Sequence, residues 1–181
     1  KTLFPYTTLF RSFPNSVVEV ATAIPVFIGY TEKAADGPVD KSYTPTYIAS
    51  LADYIRYFGG APTPSFSLSS TLAVAQDAKT RFFLYHSVML YFANGGGPAY
   101  VISVGSYANA TANGKAMADF LPDPTKLGNG KQAPFDALKK VLDVTLVVAP
   151  DTTLLGKVDP KQVYAEAIEV YRQMRCAQHE G

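Results

Sequence analysis

The 181-residue chain, 19.5 kDa, has the length of one domain or of one domain and a fragment. It is 48% hydrophobic and 17% charged, which allows a core and excludes a disordered chain. The balance of 16 Lys+Arg against 15 Asp+Glu lacks the basic excess of a nucleic-acid binder, and one cysteine with two histidines excludes a disulfide scaffold and a zinc finger.

Residues 1–12, KTLFPYTTLFRS, resemble translated sequencing-adapter read-through and are expected to be a non-native segment. They lack the basic start and apolar centre of a secretory signal. No apolar run reaches the roughly 18–20 residues of a membrane span, so no membrane insertion is expected.

Residues 17–21 and 26–30 are short β-branched runs predicted as strands, broken at Pro25, which cannot donate to a ladder. Residues 31–41, with Asp36-Gly37-Pro38, read as a loop, and 47–49 as a brief strand. Ser50 then precedes Leu51, Tyr54, Ile55 and Phe58 at helical spacing, with Asp53 placed for a capping box. Gly59-Gly60 ends this helix. The Pro- and Ser-rich residues 61–70 read as an irregular excursion.

A second helix is predicted over about 81–94, with Leu84, Val88, Tyr91 and Phe92 on one face. Phe82, Phe83, Met89 and Leu90 spread apolar surface around the rest, which predicts burial on two sides. On that reading Phe92→Ala costs about 3–5 kcal/mol. Gly95-Gly96-Gly97-Pro98 stops the helix, and residues 99–104 form a strand rich in β formers. Residues 105–132 read mostly as loop, with a short helix near 116–120.

Pro134 opens a helix with core face Phe135, Leu138, Val141 and Leu142. Residues 144–149 are a nearly continuous apolar strand of the doubly covered kind, ended by Pro150-Asp151. A last helix is predicted from Pro160 to about Cys176, with Val163, Ala167, Val170, Tyr171 and Met174 on its apolar face. This alternation predicts an α/β fold: a partly parallel sheet flanked by helices, truncated before a further strand, since a crossover helix normally delivers the chain to one.

The reactive side chains form no convincing site. Phosphate-binding glycines need a strand before them and a helix N-terminus after them, whereas residues 94–98 follow a helix and precede a strand. Cys176 and His179 are three apart but lack an orienting Asn or Asp, and His86 has no His or carboxylate four residues away. Asp151 stands at the C-terminal end of a strand, where α/β enzymes often keep catalytic groups, but an Asx-type turn explains it equally well. No catalytic residue, cofactor or metal ligand is assigned.

Several separated stretches are similar to one family. Residues 25–34 (PVFIGYTEKA), 57–60 (YFGG) and above all 90–105 (LYFANGGGPAYVISVG) resemble the tail sheath proteins of contractile phage tails and contractile injection systems. Residues 146–151 (LVVAPD) match that family's next buried strand. The motif positions are Phe27, Gly29, Phe58, Gly59, Gly60, Phe92, Asn94, Gly95, Gly96, Tyr100, Val101, Pro150 and Asp151. The resemblance implies that residues 13–181 are the N-terminal portion of a tail-sheath-like domain, without the family's C-terminal domain.

It further implies a structural role and no enzymatic activity. Sheath protomers stack as helical rings around an inner tube and contract to drive the tube through a target envelope. The implied partners are identical or paralogous sheath subunits, the inner tube protein and the baseplate, without nucleic acid. The implied location is the bacterial cytoplasm during assembly, then a virion tail or an injection particle. The alternative is a fragment of an α/β enzyme whose active site lies in a C-terminal part outside this sequence.

Overall fold

The computed structural model describes residues 24–122, 127, 131–141, 143–155, 161, 164, 165 and 168. Strand β1 (Ile24–Thr31) is followed by the two-residue strands β2 (Ala35–Asp36) and β3 (Val39–Asp40), then by β4 (Thr46–Ile48) and helix α1 (Leu51–Phe58). A hairpin of β5 (Phe66–Leu68) and β6 (Val74–Gln76) leads through a 3₁₀ turn at Ala78–Thr80 to helix α2 (Leu84–Ala93). Strand β7 (Ala99–Ser106), helices α3 (Tyr107–Asn113), α4 (Met117–Phe120) and α5 (Pro134–Leu138), and strand β8 (Val144–Val148) complete the main elements.

The main sheet has the order β4-β7-β1-β8. Strand β1 runs parallel to both β7 and β8, while β4 is antiparallel to β7. The fold is therefore α/β with a partly parallel sheet flanked by helices. Central position explains why β1 is buried on both faces and reads as a continuous apolar run. Side-chain alternation divides its core contacts in two. Val26, Ile28 and Tyr30 join Ile102, Phe120, Phe135 and Leu138 on one face, and Phe27 joins Tyr54, Phe58, Leu84 and Val101 on the other.

Local chemistry sets the helix ends. Ser50 Oγ accepts the Asp53 N–H at 3.2 Å, and Asp53 Oδ2 accepts the Ala49 N–H at 3.0 Å, so the two side chains satisfy donors the helix cannot. Pro25 lies inside β1 rather than breaking it. It sits near the start of the strand, beside a register shift against β8, where a missing N–H is tolerated.

Five further elements differ from expectation. Residues 31–41 hold the β2–β3 hairpin around Gly37, and residues 61–70 contain β5 rather than irregular chain alone. Helix α3 falls in the stretch read as loop: Ser106 caps it, accepting the Asn109 N–H, and Gly114 at φ +87° ends it. Strand β8 is not covered on both faces, since only Val144 is buried and Leu146 is 52% exposed. Helix α2 buries Leu84 and Val88 and leaves Phe83 and Leu90 in solvent, so it is covered on one side.

Phe92 is half-buried against the α1-side cluster, so Phe92→Ala is expected to cost about 1–2 kcal/mol. Urea unfolding checks this, and a loss above about 3 kcal/mol would restore full burial of the ring.

Residues 1–23, Leu142, Cys176, His179 and the predicted apolar face of the last helix lie outside the described residues. Lys161, Tyr164, Ala165 and Ile168 are helical, where that helix was expected. Among the described residues, no helix is long and apolar enough to cross a membrane.

Candidate functional site

Three junctions gather most of the motif positions. The first lies where β8 ends. Pro150 and Asp151 open a 3₁₀ turn (Pro150–Leu154), and the Asp151 side chain is fully buried. Its Oδ2 accepts the Tyr30 N–H at 2.9 Å, and its Oδ1 accepts the Phe83 N–H at 2.6 Å. One carboxylate thus ties the end of β8 to β1 and to the start of α2. Burial pushes the Asp151 carboxyl above the usual range, while backbone donors from Phe83, Tyr30 and Leu84 and the Lys115 cation pull the other way. The turn itself is closed by Thr152, whose hydroxyl donates to Ala149 O at 2.6 Å, so an Asx turn does not account for Asp151.

Gly29 makes this approach possible. A Cβ there would stand 2.6 Å from Asp151 Oδ2 and 3.1 Å from Leu84 Cβ. Tyr30 then anchors the other face of β1: its hydroxyl donates to Asp119 Oδ2 at 2.6 Å and accepts the Ala116 N–H at 3.1 Å. Burial first, and the Asp119 carboxylate second, hold the Tyr30 phenol far above its ordinary value.

The second junction joins β1 to the end of α1. Glu32 Oε2 accepts the Gly60 N–H at 2.6 Å, and Phe58 O accepts the Lys33 N–H at 3.1 Å. Gly59 has φ +83°, and a Cβ on it would lie 2.6 Å from Glu32 Cβ. Both reasons exclude a side chain there.

The third junction is the end of α2. Asn94 returns both its backbone N–H and its side-chain Nδ2 to Leu90 O, at 3.1 and 2.7 Å. Gly95 takes φ +81° and donates to Phe92 O, and Gly96 donates to Tyr91 O at 2.9 Å. A Cβ on Gly96 would collide with the Tyr91 ring, which itself packs edge-on against Phe27 at 5.4 Å. The N–H groups of Gly95 and Gly96 are consumed by helix carbonyls, so the glycines form a stop and not an anion cradle.

Val101 is buried and pairs with Phe27 across the sheet. Tyr100 stands apart from the junctions, its ring edge-on to Tyr47 and its hydroxyl 3.4 Å from Asp143. Asn94 and Gly95 are exposed, whereas Phe58 and Asp151 are buried.

Sequence reasoning missed the partners that make the junctions: Tyr30, Glu32, Asp119 and Lys115. Tyr54, expected on the apolar face of α1, is buried there, and its hydroxyl has no partner at hydrogen-bond geometry. Burial first, and the neighbouring Tyr107 hydroxyl second, push the Tyr54 phenol well above its ordinary value, and the Tyr107 hydroxyl itself donates to Gly60 O at 3.5 Å. Tyr54→Phe is therefore expected to leave stability unchanged or raise it by up to ~1 kcal/mol. A fall in Tm would reveal a hydrogen bond the hydroxyl makes after all.

The geometry offers chemistry little. Both Asp151 oxygens are occupied by backbone donors, and two hollows among the described residues do not include it in their lining: one of 330 Å³ is lined by Ser42, Tyr43 and Asn109, another of 450 Å³ by Thr63, Phe82 and Thr111. His86 is exposed against Tyr85. Among the described residues, no group of three His, Cys, Asp or Glu could hold a metal ion.

No protein-family model matches the chain, and no curated protein matches it. Among solved structures, it is similar to a chain in the contracted-state baseplate of the anti-feeding prophage. The two are 21% identical with a TM-score of 0.45, over 98% of this chain and 38% of that one.

Proposed function

We propose that this chain is the N-terminal portion of a structural subunit of a contractile sheath. In this reading, copies assemble as helical rings around an inner tube and contract to drive it through a target envelope. The observation that carries it is the use to which the motif residues are put. Gly29, Asp151, Gly59, Gly60 and Gly96 come from four stretches that resemble sheath proteins, and each serves a close approach or a backbone hydrogen bond. In an enzyme, residues shared across a family would be expected to leave some polar atoms aimed into a hollow. Here they brace one element against the next, as suits a subunit that must transmit force without losing its shape.

The partners in this reading are further sheath subunits, the inner tube protein and the baseplate. Assembly takes place in the bacterial cytoplasm, and the finished subunit resides in a virion tail or an injection particle. Quantitative mass spectrometry of contractile particles from the encoding strain tests the proposal. A sheath subunit is expected at a copy number comparable to that of the tube protein. A few copies per particle would assign the chain to another component, and its absence from particles would overturn the reading.

A further inference from the structure

We propose that residues 61–82 form a hinged arm, pinned to the body at both ends and held at one angle by a single latch, Lys115. The inference stands apart from the sheath reading and requires no partner for the arm. It starts from the stiffness of the segment itself. Ser65 O accepts the Asp77 N–H at 2.8 Å, Thr80 Oγ1 accepts the Ser65 N–H at 3.0 Å, and the Thr80 hydroxyl donates to Asp77 O at 2.9 Å. Together with the β5–β6 ladder, these bonds make residues 65–80 one unit, and neither strand pairs with the main sheet.

Both ends of the segment are fixed. Glu32 Oε2 accepts the Gly60 N–H and Asp151 Oδ1 accepts the Phe83 N–H, each at 2.6 Å. Phe82, beside the second pin, packs on Tyr107 with ring centroids 4.6 Å apart. A stiff unit held at two points still turns about the line that joins them, so its angle needs a third contact. Few apolar contacts resist that turn, since Phe66, Leu68, Leu72 and Val74 all stand in water.

Lys115 supplies the third contact. Gly114, at φ +87°, ends α3 and redirects the chain just before it. The Lys115 Nζ donates to Ala78 O at 3.2 Å and to Lys79 O at 2.9 Å, and it lies 4.2 Å from the centre of the Phe82 ring. Hydrogen bonds from an ammonium are roughly twice as strong as neutral ones. Among the described residues, the other hydrogen bond from the body to residues 61–81 runs from Thr111 Oγ1 to Lys79 O and is long, at 3.4 Å. Room for the turn is present as well: a hollow of 450 Å³ is lined by Ala61, Thr63 and Thr80 of the arm and by Ala108 and Thr111 of α3. Removing the Lys115 ammonium therefore frees the angle without releasing either pin.

Pulsed electron–electron resonance on the whole chain reads that angle as a distance. Spin labels are placed by Ser70→Cys near the hairpin tip and Ala52→Cys on α1, both exposed positions, and Cys176→Ser removes the native thiol. Dilution with unlabelled protein keeps each measured distance within one chain. With Lys115 in place, one narrow peak is expected. Lys115→Met keeps an unbranched side chain against Phe82 but donates no hydrogen bond, and it is expected to replace the narrow peak by a broad or shifted distribution. Lys115→Arg, which retains a charged donor, is expected to preserve the peak. Circular dichroism and the urea midpoint check that the body stays folded, and Lys115→Ala replaces Lys115→Met if the latter unfolds. A peak equally narrow without the ammonium, a distribution already broad with Lys115 in place, or an arginine variant as broad as the methionine variant would overturn the latch.

Discussion

Asp151→Ala is expected to lower the free energy of unfolding by about 2–4 kcal/mol. It strips the acceptor from two backbone donors, Tyr30 N–H and Phe83 N–H, and each unsatisfied buried group costs about 1–3 kcal/mol. Part of that loss is offset, because burial disfavours the charged carboxylate that is removed. The offset carries a pH signature. The folded protein binds the Asp151 proton more tightly than the unfolded chain does, so ionisation costs stability as pH rises from the unfolded value of 3.8 through the raised folded one. The variant lacks this dependence, so its deficit relative to the wild type should shrink as pH rises through that window. Urea unfolding at pH 4 and pH 7 measures both effects. A deficit below about 1 kcal/mol would show that the carboxylate does not bridge these donors, and one that grows with pH would show that the backbone donors outweigh burial in setting its ionisation.

Gly29→Ala is expected to cost about 2–4 kcal/mol, well above an ordinary surface glycine. The backbone at Gly29 is not in the left-handed region, so the cost comes from collision alone. The new methyl would stand 2.6 Å from Asp151 Oδ2 and drive the carboxylate off the Tyr30 N–H. The two residues should therefore be coupled. In an Asp151→Ala background, Gly29→Ala should cost at least about 1 kcal/mol less than it does alone, with the residue due to Leu84 Cβ at 3.1 Å. Additivity within about 0.5 kcal/mol would mean that the collision is with something other than the carboxylate.

The elements that depend on nearest neighbours in sequence were legible. Strand β7, the capping box of α1 and the glycine stop of α2 all follow from residues within about one turn of one another. Helix α3 was not, because Tyr-Ala-Asn-Ala-Thr-Ala-Asn carries no apolar stripe and is held by Ser106 and Gly114 at its ends. The hairpin had a period-2 signal in Phe66, Leu68, Val74 and Gln76, hidden by the Ser and Pro residues around it. Two-sided burial of α2 was inferred from apolar composition, which cannot reveal that Phe83 and Leu90 face water. The junctions were the least legible. Asp151 stands out in the sequence for its place after a strand, but its two donors lie 121 and 68 residues away, and only the folded sheet order brings them together. The same holds for Glu32 and Gly60, 28 residues apart. The glycines at 29 and 96 could be noticed but not explained until the Asp151 and Tyr91 side chains were in place.

Cryo-electron microscopy of contractile particles from the encoding strain tests the proposed sheath role most directly. The predicted result is density for the β4-β7-β1-β8 sheet repeated in helical rings around an inner tube, with Asp151 still bridging Tyr30 and Phe83 in every copy. Density in a few copies remote from the tube, or a small molecule bound against a freed Asp151, would contradict it.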